Sequence, residues 1–81
     1  MSVKAVVEVL ARALADRPDD VRVVETQHKG TTLVELYVAP GELGRVIGKQ
    51  GRTAAALRTL ASTAGEKIGK TVTLEIRDGK P

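Results

Sequence analysis

Apolar positions near the start of the chain recur at the spacing of one helix face. The side chains that share this face are Val3, Val6, Val7, Leu10 and Leu14. Ser2 is a residue type that caps helix N-termini, and Pro18 cannot continue a helix. The pattern therefore predicts a first helix from about residue 2 to about residue 15.

Two runs rich in β-branched residues follow, and a short glycine-containing link separates them. The first, "VRVVETQ", begins at Val21, and the second, "TTLVELYV", covers residues 31–38. Their order predicts an antiparallel hairpin around "HKG". Within the second run Val34, Leu36 and Val38 alternate with the residues between them, so we expect this side of the strand to face the helices.

The second half of the chain returns to helical spacing and ends in a strand. A short helix is expected to start near Pro40, a residue type favoured in the first helical turn, and to end by Gly48. A longer helix follows Gly51 and has one apolar face. That face comprises Ala54, Leu57, Leu60, Ala61, Ala64 and Ile68. In "KTVTLEIR", residues 70–77, apolar and polar residues alternate as in a strand.

The predicted order of elements is αββααβ, which is an α+β architecture. We expect a three-stranded sheet with the helices packed on one of its faces. With 81 residues, the chain has room for one domain. Residues 1–77 would form this domain, and the polar residues 78–81 would form a C-terminal tail.

The composition excludes several classes of function. Tyr37 is the one aromatic residue, whereas RNA-recognition-motif and cold-shock domains stack bases on several aromatic rings. The chain has no cysteine, so thiol catalysis, disulfides and cysteine-based zinc sites are excluded. The net charge of +3 permits a polyanionic ligand without requiring one. Charged residues interrupt the N-terminal apolar pattern, as a signal peptide would not allow, so we expect a cytoplasmic protein with no membrane association.

A stretch with two closely spaced glycines, "VIGKQGR", separates the two predicted helices of the second half. It does not fit a Walker A loop, which would need a glycine at Leu43 and a hydroxyl residue at Gln50. Nor does it fit a dinucleotide-binding fingerprint, which would need a glycine at Val46. What remains is a G-x-x-G loop, residues 48–51. An ordinary helix end, with Gly48 as C-cap and a flexible start to the next helix, is the alternative that these four residues alone leave open.

The position of this loop favours contact with a polyanion. Glycines have no Cβ, so another chain can approach the backbone closely. The first backbone N–H groups of the long helix have no intrahelical partner, and the helix dipole attracts an anion there. Lys49 and Arg52 add positive charge at the same place. A sugar–phosphate chain is the ligand that these features favour.

These residues, in the order αββααβ, resemble a KH domain of the type II topology. The likeness is closer to the KhpA family of small bacterial RNA-binding proteins, in which one KH domain makes up nearly the whole chain. It extends over the N-terminal helix, "DRPDDVRV", "ELYVAP", "GRVIGKQGR" and the "LRTL" that follows. Thr53 departs from the family pattern, because an aliphatic residue is common at that position.

The resemblance implies a function and a site. KH domains hold about four nucleotides of single-stranded nucleic acid in a narrow groove. We therefore expect a non-enzymatic, cofactor-free RNA-binding protein that acts as an RNA chaperone or post-transcriptional regulator. The residues implied to grip the RNA backbone are Gly48, Lys49, Gln50 and Gly51. Those implied for the apolar groove floor are Val46, Ile47 and Ala54, with a sheet residue that the sequence does not assign.

Four cations could line the RNA path. They are Arg45, Lys49, Arg52 and Arg58. Arg58 is interpreted as a solvated charge on the helix surface, and for Arg45 solvation and RNA contact are both open. His28 has no second histidine with which to build a metal site, so it is interpreted as a turn residue. No pairing of a nucleophile with a base is recognisable for catalysis.

The outward face of the long helix carries small, mostly uncharged side chains, where a solvated helix usually has more Lys and Glu. They are Ala55, Ala56, Thr59, Ser62 and Thr63. This face is interpreted either as a helix surface without a partner or as a contact for another helix. The resemblance implies homodimers, and also pairing with a larger bacterial protein that carries its own KH domain. The predicted interface comprises Ala55, Ala56, Thr59 and Thr63, and a protein–protein dimerisation module with a vestigial nucleic-acid site is the alternative function.

Overall fold

The structure, a computed structural model, describes residues 2–81 and confirms the predicted order of elements. Its helices and strands are α1 (Val3–Leu14), β1 (Arg22–His28), β2 (Thr31–Val38), α2 (Leu43–Ile47), α3 (Arg52–Lys67) and β3 (Thr71–Asp78). Short 3-10 turns occupy Pro18–Asp20 and Lys49–Gly51. No helix in this part of the chain is long and apolar enough to cross a membrane.

The described strands form one mixed sheet in the order β1-β2-β3, so β2 is central and β3 lies at an edge. β1 and β2 are antiparallel. The turn that joins them has positive φ at Lys29 (48°) and Gly30 (82°), as a two-residue type I′ turn requires. β2 and β3 are parallel, with Val34 opposite Leu74. Parallel pairing needs a crossover connection, and here the crossover consists of α2, the GKQG loop and α3.

Residues close in the sequence determine where helix α1 begins and ends. The Ser2 hydroxyl oxygen accepts a hydrogen bond from the Ala5 backbone N–H at 3.1 Å, which confirms the predicted N-cap. At the other end the Ala15 N–H donates to the Ala11 carbonyl, and Pro18 begins a 3-10 turn. The buried side chains of the helix are Val3, Val7 and Ala11.

The core lies between the sheet and the helices. Val34, Leu36 and Val38 of β2 have no exposed surface, so the strand side expected to face the helices does so. The other residues of the core are Val3, Val7, Ala11, Val21, Val23, Val46, Leu57, Ala61 and Leu74. Because α1, α2 and α3 all contribute to it, the core fixes the two helices that flank the loop against the sheet.

The start of the short helix differs from the prediction. Pro40 is not in its first turn, because α2 begins at Leu43. Pro40 and Gly41 form a β-turn in which the Glu42 N–H donates to the Ala39 carbonyl at 3.0 Å and Gly41 has a φ of 90°. Proline followed by glycine suits the central positions of a type II turn, so local turn chemistry outweighs the preference of proline for a helix start.

The buried face of α3 is rotated from the predicted one. Leu60 and Ile68, which belong to the predicted apolar face, are 48% and 55% exposed, and Ile68 follows the last residue of α3. The buried residues of α3 are Ala54, Leu57, Ala61 and Gly65. At Gly65 the helix lies so close to the start of β3 that an added Cβ would be 2.9 Å from the Lys70 carbonyl oxygen. The missing side chain lets α3 approach the sheet on that side. Leu60 lies about 100° around the helix from the buried Ala61 and therefore reaches solvent.

Candidate nucleic-acid interface

The GKQG loop is a tight, hydrogen-bonded turn. The Gly48 N–H donates to the Gly44 carbonyl at 2.9 Å and ends α2, and the Gly51 N–H donates to the Gly48 carbonyl at 3.1 Å. Gly48 has a φ of 77° and a ψ of 174°, while Gln50 and Gly51 are left-handed, with φ of 57° and 71°. The helix-cap role of Gly48 is therefore present. It coexists with a turn at the N-terminal end of α3.

Gly48 also packs closely against the first turn of α3. A Cβ added to Gly48 would lie 2.7 Å from the Thr53 Cβ, which is closer than real carbon atoms pack. Together with the positive φ, this contact leaves room for glycine alone. Thr53, the residue that departs from the family pattern, thus helps to set the position of the loop relative to α3.

At the N-terminus of α3 the Arg52 N–H donates to the Lys49 carbonyl within this turn. No side chain of the described residues caps this N-terminus, and the first turn of α3 holds no acidic residue. Lys49, Gln50 and Arg52 are exposed, and the Arg52 Nη2 donates to the Gln50 Oε1 at 2.9 Å. Backbone N–H groups, the dipole of a 16-residue helix and two cations therefore act at one exposed point. This arrangement suits a phosphate group.

The edge strand β3 lies beside the loop region, because α2 and α3 both pack against it. We refer to the surface bordered by α2, the loop, the first turns of α3 and β3 as the loop–β3 surface. Its apolar residues lie at different depths. Val46 has no exposed surface and supports the others from beneath, whereas Ala54 is 3% exposed and Ile47 is half-buried. Of the three expected floor residues, Ile47 thus offers the most apolar surface to a ligand.

Arg58 connects α3 to the edge strand. Its Nε donates a hydrogen bond to the Leu74 carbonyl oxygen of β3 at 3.3 Å. Arg58 is exposed, as its interpretation as a solvated surface charge requires, and the hydrogen bond to β3 adds a contact that this interpretation does not include. Arg58 follows Ala54 by one helical turn, and this i, i+4 spacing is the signal in the sequence that places the two residues side by side.

Arg45 of α2 forms an ion pair with the link that follows α1. Its Nε lies 2.8 Å from the Asp16 Oδ2, and both side chains are exposed. The neighbouring Glu42 is 6% exposed, and its Oε1 accepts hydrogen bonds from the backbone N–H groups of Asp16 and Arg17. The link that follows α1 is thereby attached to the start of α2. Asp16 offsets the charge of Arg45, which reduces the attraction of this arginine for an anion.

The remaining candidates lie outside the loop region. Tyr37 is half-buried on the sheet face opposite the helices, and its hydroxyl donates to the Glu35 Oε2 at 3.0 Å. Partial burial, and then the hydrogen bond and charge of Glu35, raise the pKa of Tyr37 above its ordinary value of 10.0, and Arg77 partly offsets this. His28 ends β1. No cluster of three or more metal-ligating side chains occurs among residues 2–81.

The outward face of α3 carries the small residues that the sequence analysis singled out. All four residues of the predicted interface, Ala55, Ala56, Thr59 and Thr63, are exposed. The structure adds Leu60, which is 48% exposed and lies one turn from both Ala56 and Thr63. Periodicity placed Leu60 on the apolar face of the helix and therefore missed it here. We refer to these five residues as the α3 outer face.

The element order, the parallel β2–β3 pair and the glycine loop between α2 and α3 define a type II KH domain. Comparison with known protein families leads to the same class. The family model described as "KhpA/KhpB, KH domain" matches residues 4–76, which is most of the chain. The chain belongs to this family.

Relatives in this family are similar over nearly their full length. An "RNA-binding protein KhpA" from Aquifex aeolicus (strain VF5) is 53% identical over 75 residues, which cover 93% of this chain and 95% of the relative. A protein of the same name from Clostridium perfringens is 45% identical, covering 90% of this chain and 97% of the relative. Another, from Halalkalibacterium halodurans, is 49% identical, with 93% and 99% covered. The names of all three describe them as RNA-binding proteins.

Proposed function

We propose that this protein binds single-stranded RNA through the GKQG loop, which holds the sugar–phosphate backbone. The observation that carries this proposal is the N-terminus of α3, which no side chain of residues 2–81 caps, with Lys49 and Arg52 exposed beside it. The positive end of a helix attracts phosphate oxygens, and two glycines let the RNA backbone approach the protein backbone. The RNA-binding relatives support RNA as the polyanion.

The bases would lie across the loop–β3 surface. Ile47 and Ala54 offer apolar contacts there, and the edge of β3 offers backbone polar groups. Tyr37, the one aromatic residue of the chain, lies on the opposite face of the sheet, so base stacking on aromatic rings contributes little. Recognition of about four nucleotides would therefore rest on the RNA backbone and on the base edges.

Such a site suits an RNA chaperone or post-transcriptional regulator that acts without catalysis. Contacts to the sugar–phosphate backbone can be made to many transcripts, because they carry no sequence information. A short site also releases its RNA readily, which a chaperone requires. We place this activity in the cytoplasm, without a cofactor.

Replacing Lys49 and Gln50 together by aspartate tests this function. Two carboxylates at the loop would repel phosphate groups. The left-handed conformation of Gln50 is one that aspartate adopts readily, so the fold should remain intact. We expect binding to an unstructured single-stranded RNA to be lost in a fluorescence-anisotropy titration, with an unchanged midpoint of thermal unfolding.

The matched control replaces His28 and Lys29, at the β1–β2 turn, by aspartate. It exchanges one neutral residue and one lysine, as the loop variant does, at a site outside the loop region. Binding that is retained in the control and lost in the loop variant would support the role of the loop. Binding that is retained in the loop variant would overturn it, and an equal loss in both would assign the affinity to net charge.

A second candidate function, dimerisation with a vestigial nucleic-acid site, is favoured by the α3 outer face. Leu60 is exposed there among small side chains, a combination that suits close approach of another helix. We propose that this face pairs with a second copy of the chain or with the KH domain of a larger protein. Pairing through this face is also compatible with RNA binding, because a symmetric pair would present two loops to one RNA and gain avidity.

A further inference from the structure

Arg58 lies where bases would pass if the loop holds the RNA backbone. It follows Arg52, the first residue of α3, by six positions, which is about 9 Å along a helix axis. An RNA strand of about four nucleotides is longer than this distance. A strand that starts at the loop and crosses toward β3 therefore comes within reach of the Arg58 side chain.

The guanidinium of Arg58 is positioned by the protein and keeps most of its hydrogen-bonding capacity. Its Nε–H is used by the Leu74 carbonyl oxygen at 3.3 Å. Arg58 takes part in none of the ion pairs found among residues 2–81. The two Nη groups retain their N–H donors for a ligand. Because the side chain is attached to α3 and bonded to β3, the planar fork is partly ordered before RNA arrives.

We propose that Arg58 selects the base that reaches β3, favouring cytosine and guanine over uracil and adenine, a role that rests on the RNA binding proposed above. A guanidinium donates hydrogen bonds without accepting any, and it binds best to two adjacent acceptors. Cytosine presents O2 beside N3, and guanine presents O6 beside N7. In uracil the ring N–H lies between the two carbonyl oxygens, and in adenine the amino group adjoins both N1 and N7. Neither base offers the fork a matching pair of acceptors.

The hydrogen bond to β3 adds to this selection. The Leu74 carbonyl oxygen belongs to the edge strand, and Arg58 occupies it. The Leu74 carbonyl oxygen, which could have accepted a hydrogen bond from the amino group of adenine, therefore already accepts one from Arg58. The N–H groups of Arg58 are hydrogen-bond donors at the same place. At this one position of the β3 edge, the Arg58 guanidinium adds donors beside a carbonyl that already accepts a hydrogen bond.

The test compares two single-stranded RNAs of equal length, oligouridine and an oligomer of alternating cytidine and uridine. We expect the wild-type protein to bind the alternating oligomer at least about fivefold more tightly, as a bidentate contact to a base provides. Arg58→Lys keeps the charge and loses the planar fork. In this variant the preference should disappear, while affinity for oligouridine should stay within about threefold of the wild-type value.

Arg52→Lys is the matched control, because it makes the same exchange at the loop and away from Leu74. It should leave the preference for the alternating oligomer intact. Thermal unfolding of each variant reports whether the contact between Arg58 and Leu74 contributes to the fold. A purely structural role of Arg58 would weaken the binding of both RNAs alike and preserve their ratio, and this result would count against base selection.

A wild-type protein that binds both RNAs equally, or an Arg58→Lys variant that keeps the preference, would overturn the role of Arg58 and leave the proposed RNA binding intact. A wild-type protein that binds neither RNA would overturn the proposed function and this role together. Loss of the preference in Arg58→Lys alone, with the Arg52→Lys control unaffected, would support the selection.

Discussion

At Gly48 the chain leaves α2 with a φ of 77° and a ψ of 174°, a combination that residues with side chains rarely adopt. The Thr53 side chain lies against the same residue, where a Cβ would need to be. Backbone conformation and packing thus both exclude a side chain at this position. The path of the loop between α2 and α3 therefore depends more on Gly48 than on Lys49 and Gln50, whose side chains are exposed.

Gly48→Ala should lower the free energy of unfolding by about 1–3 kcal/mol and weaken RNA binding, because the loop must shift. Gly44→Ala is the matched control, since it adds the same methyl group in α2, where no heavy atom lies within 4 Å of the new Cβ. It should stabilise the protein by up to about 1 kcal/mol. Chemical denaturation and an RNA titration measure the two effects, and equal behaviour of the two variants would contradict this role of Gly48.

The loop residues are predictable from the sequence, whereas the contact of Arg58 is not. Glycine spacing, the adjacent cations and the position between two predicted helices together indicate a candidate loop at residues 48–52. Arg58 bonds to Leu74 because β3 lies at the sheet edge beside α3. Local periodicity does not encode the order of strands in a sheet, so a charge on a helix surface gives no sign of the carbonyl that it will meet.

At the scale of elements, Glu42 joins two segments that are distant in the sequence. Glu42→Ala should lower the free energy of unfolding by about 1–3 kcal/mol, because the N–H groups of Asp16 and Arg17 lose a charged acceptor. Asp16→Asn is the control, since it removes the exposed ion pair with Arg45, which is worth about 0–1 kcal/mol. Urea denaturation gives both values. If Glu42→Ala cost no more than Asp16→Asn, the attachment of this link to α2 would not stabilise the fold.

The periodic elements are those that the sequence predicts best. α1, β2 and β3 begin and end within a residue of their expected bounds. The errors arise where a small residue changes local geometry: Pro40 and Gly41 form a turn before α2, and Gly65 lets α3 approach β3. In α3 the buried row contains Leu57, Ala61 and Gly65, and Leu60 lies outside it and is exposed. Hydrophobic spacing shows approximately which side of a helix is apolar. The packing against other elements decides which of the apolar residues on that side are buried.

At the scale of the whole molecule, pairing through the α3 outer face would bring two loops into one assembly. Thr63→Arg should convert a dimer into a monomer, because a long charged side chain would replace a small one in a close helix contact. Thr73→Arg makes the same exchange on an exposed position of β3 and should leave the dimer intact. Sedimentation velocity distinguishes the two states.

Loss of the dimer should weaken the binding of a long RNA and leave the affinity for a short oligonucleotide nearly unchanged, because a single loop suffices for the latter. A wild-type protein that sediments as a monomer, or a dimer that persists in Thr63→Arg, would contradict pairing through this face. Neither result would bear on the binding of RNA by a single loop.

The proposed binding of RNA phosphates by the backbone amides of the loop is tested most directly by nuclear magnetic resonance. Isotope-labelled protein would be titrated with a short single-stranded RNA while the backbone amide signals are followed. We expect the largest shifts at Lys49, Gln50, Gly51 and Thr53, with smaller ones along β3. Loop amides that stay unchanged while signals on the sheet face around Tyr37 move would contradict the assignment of the RNA site.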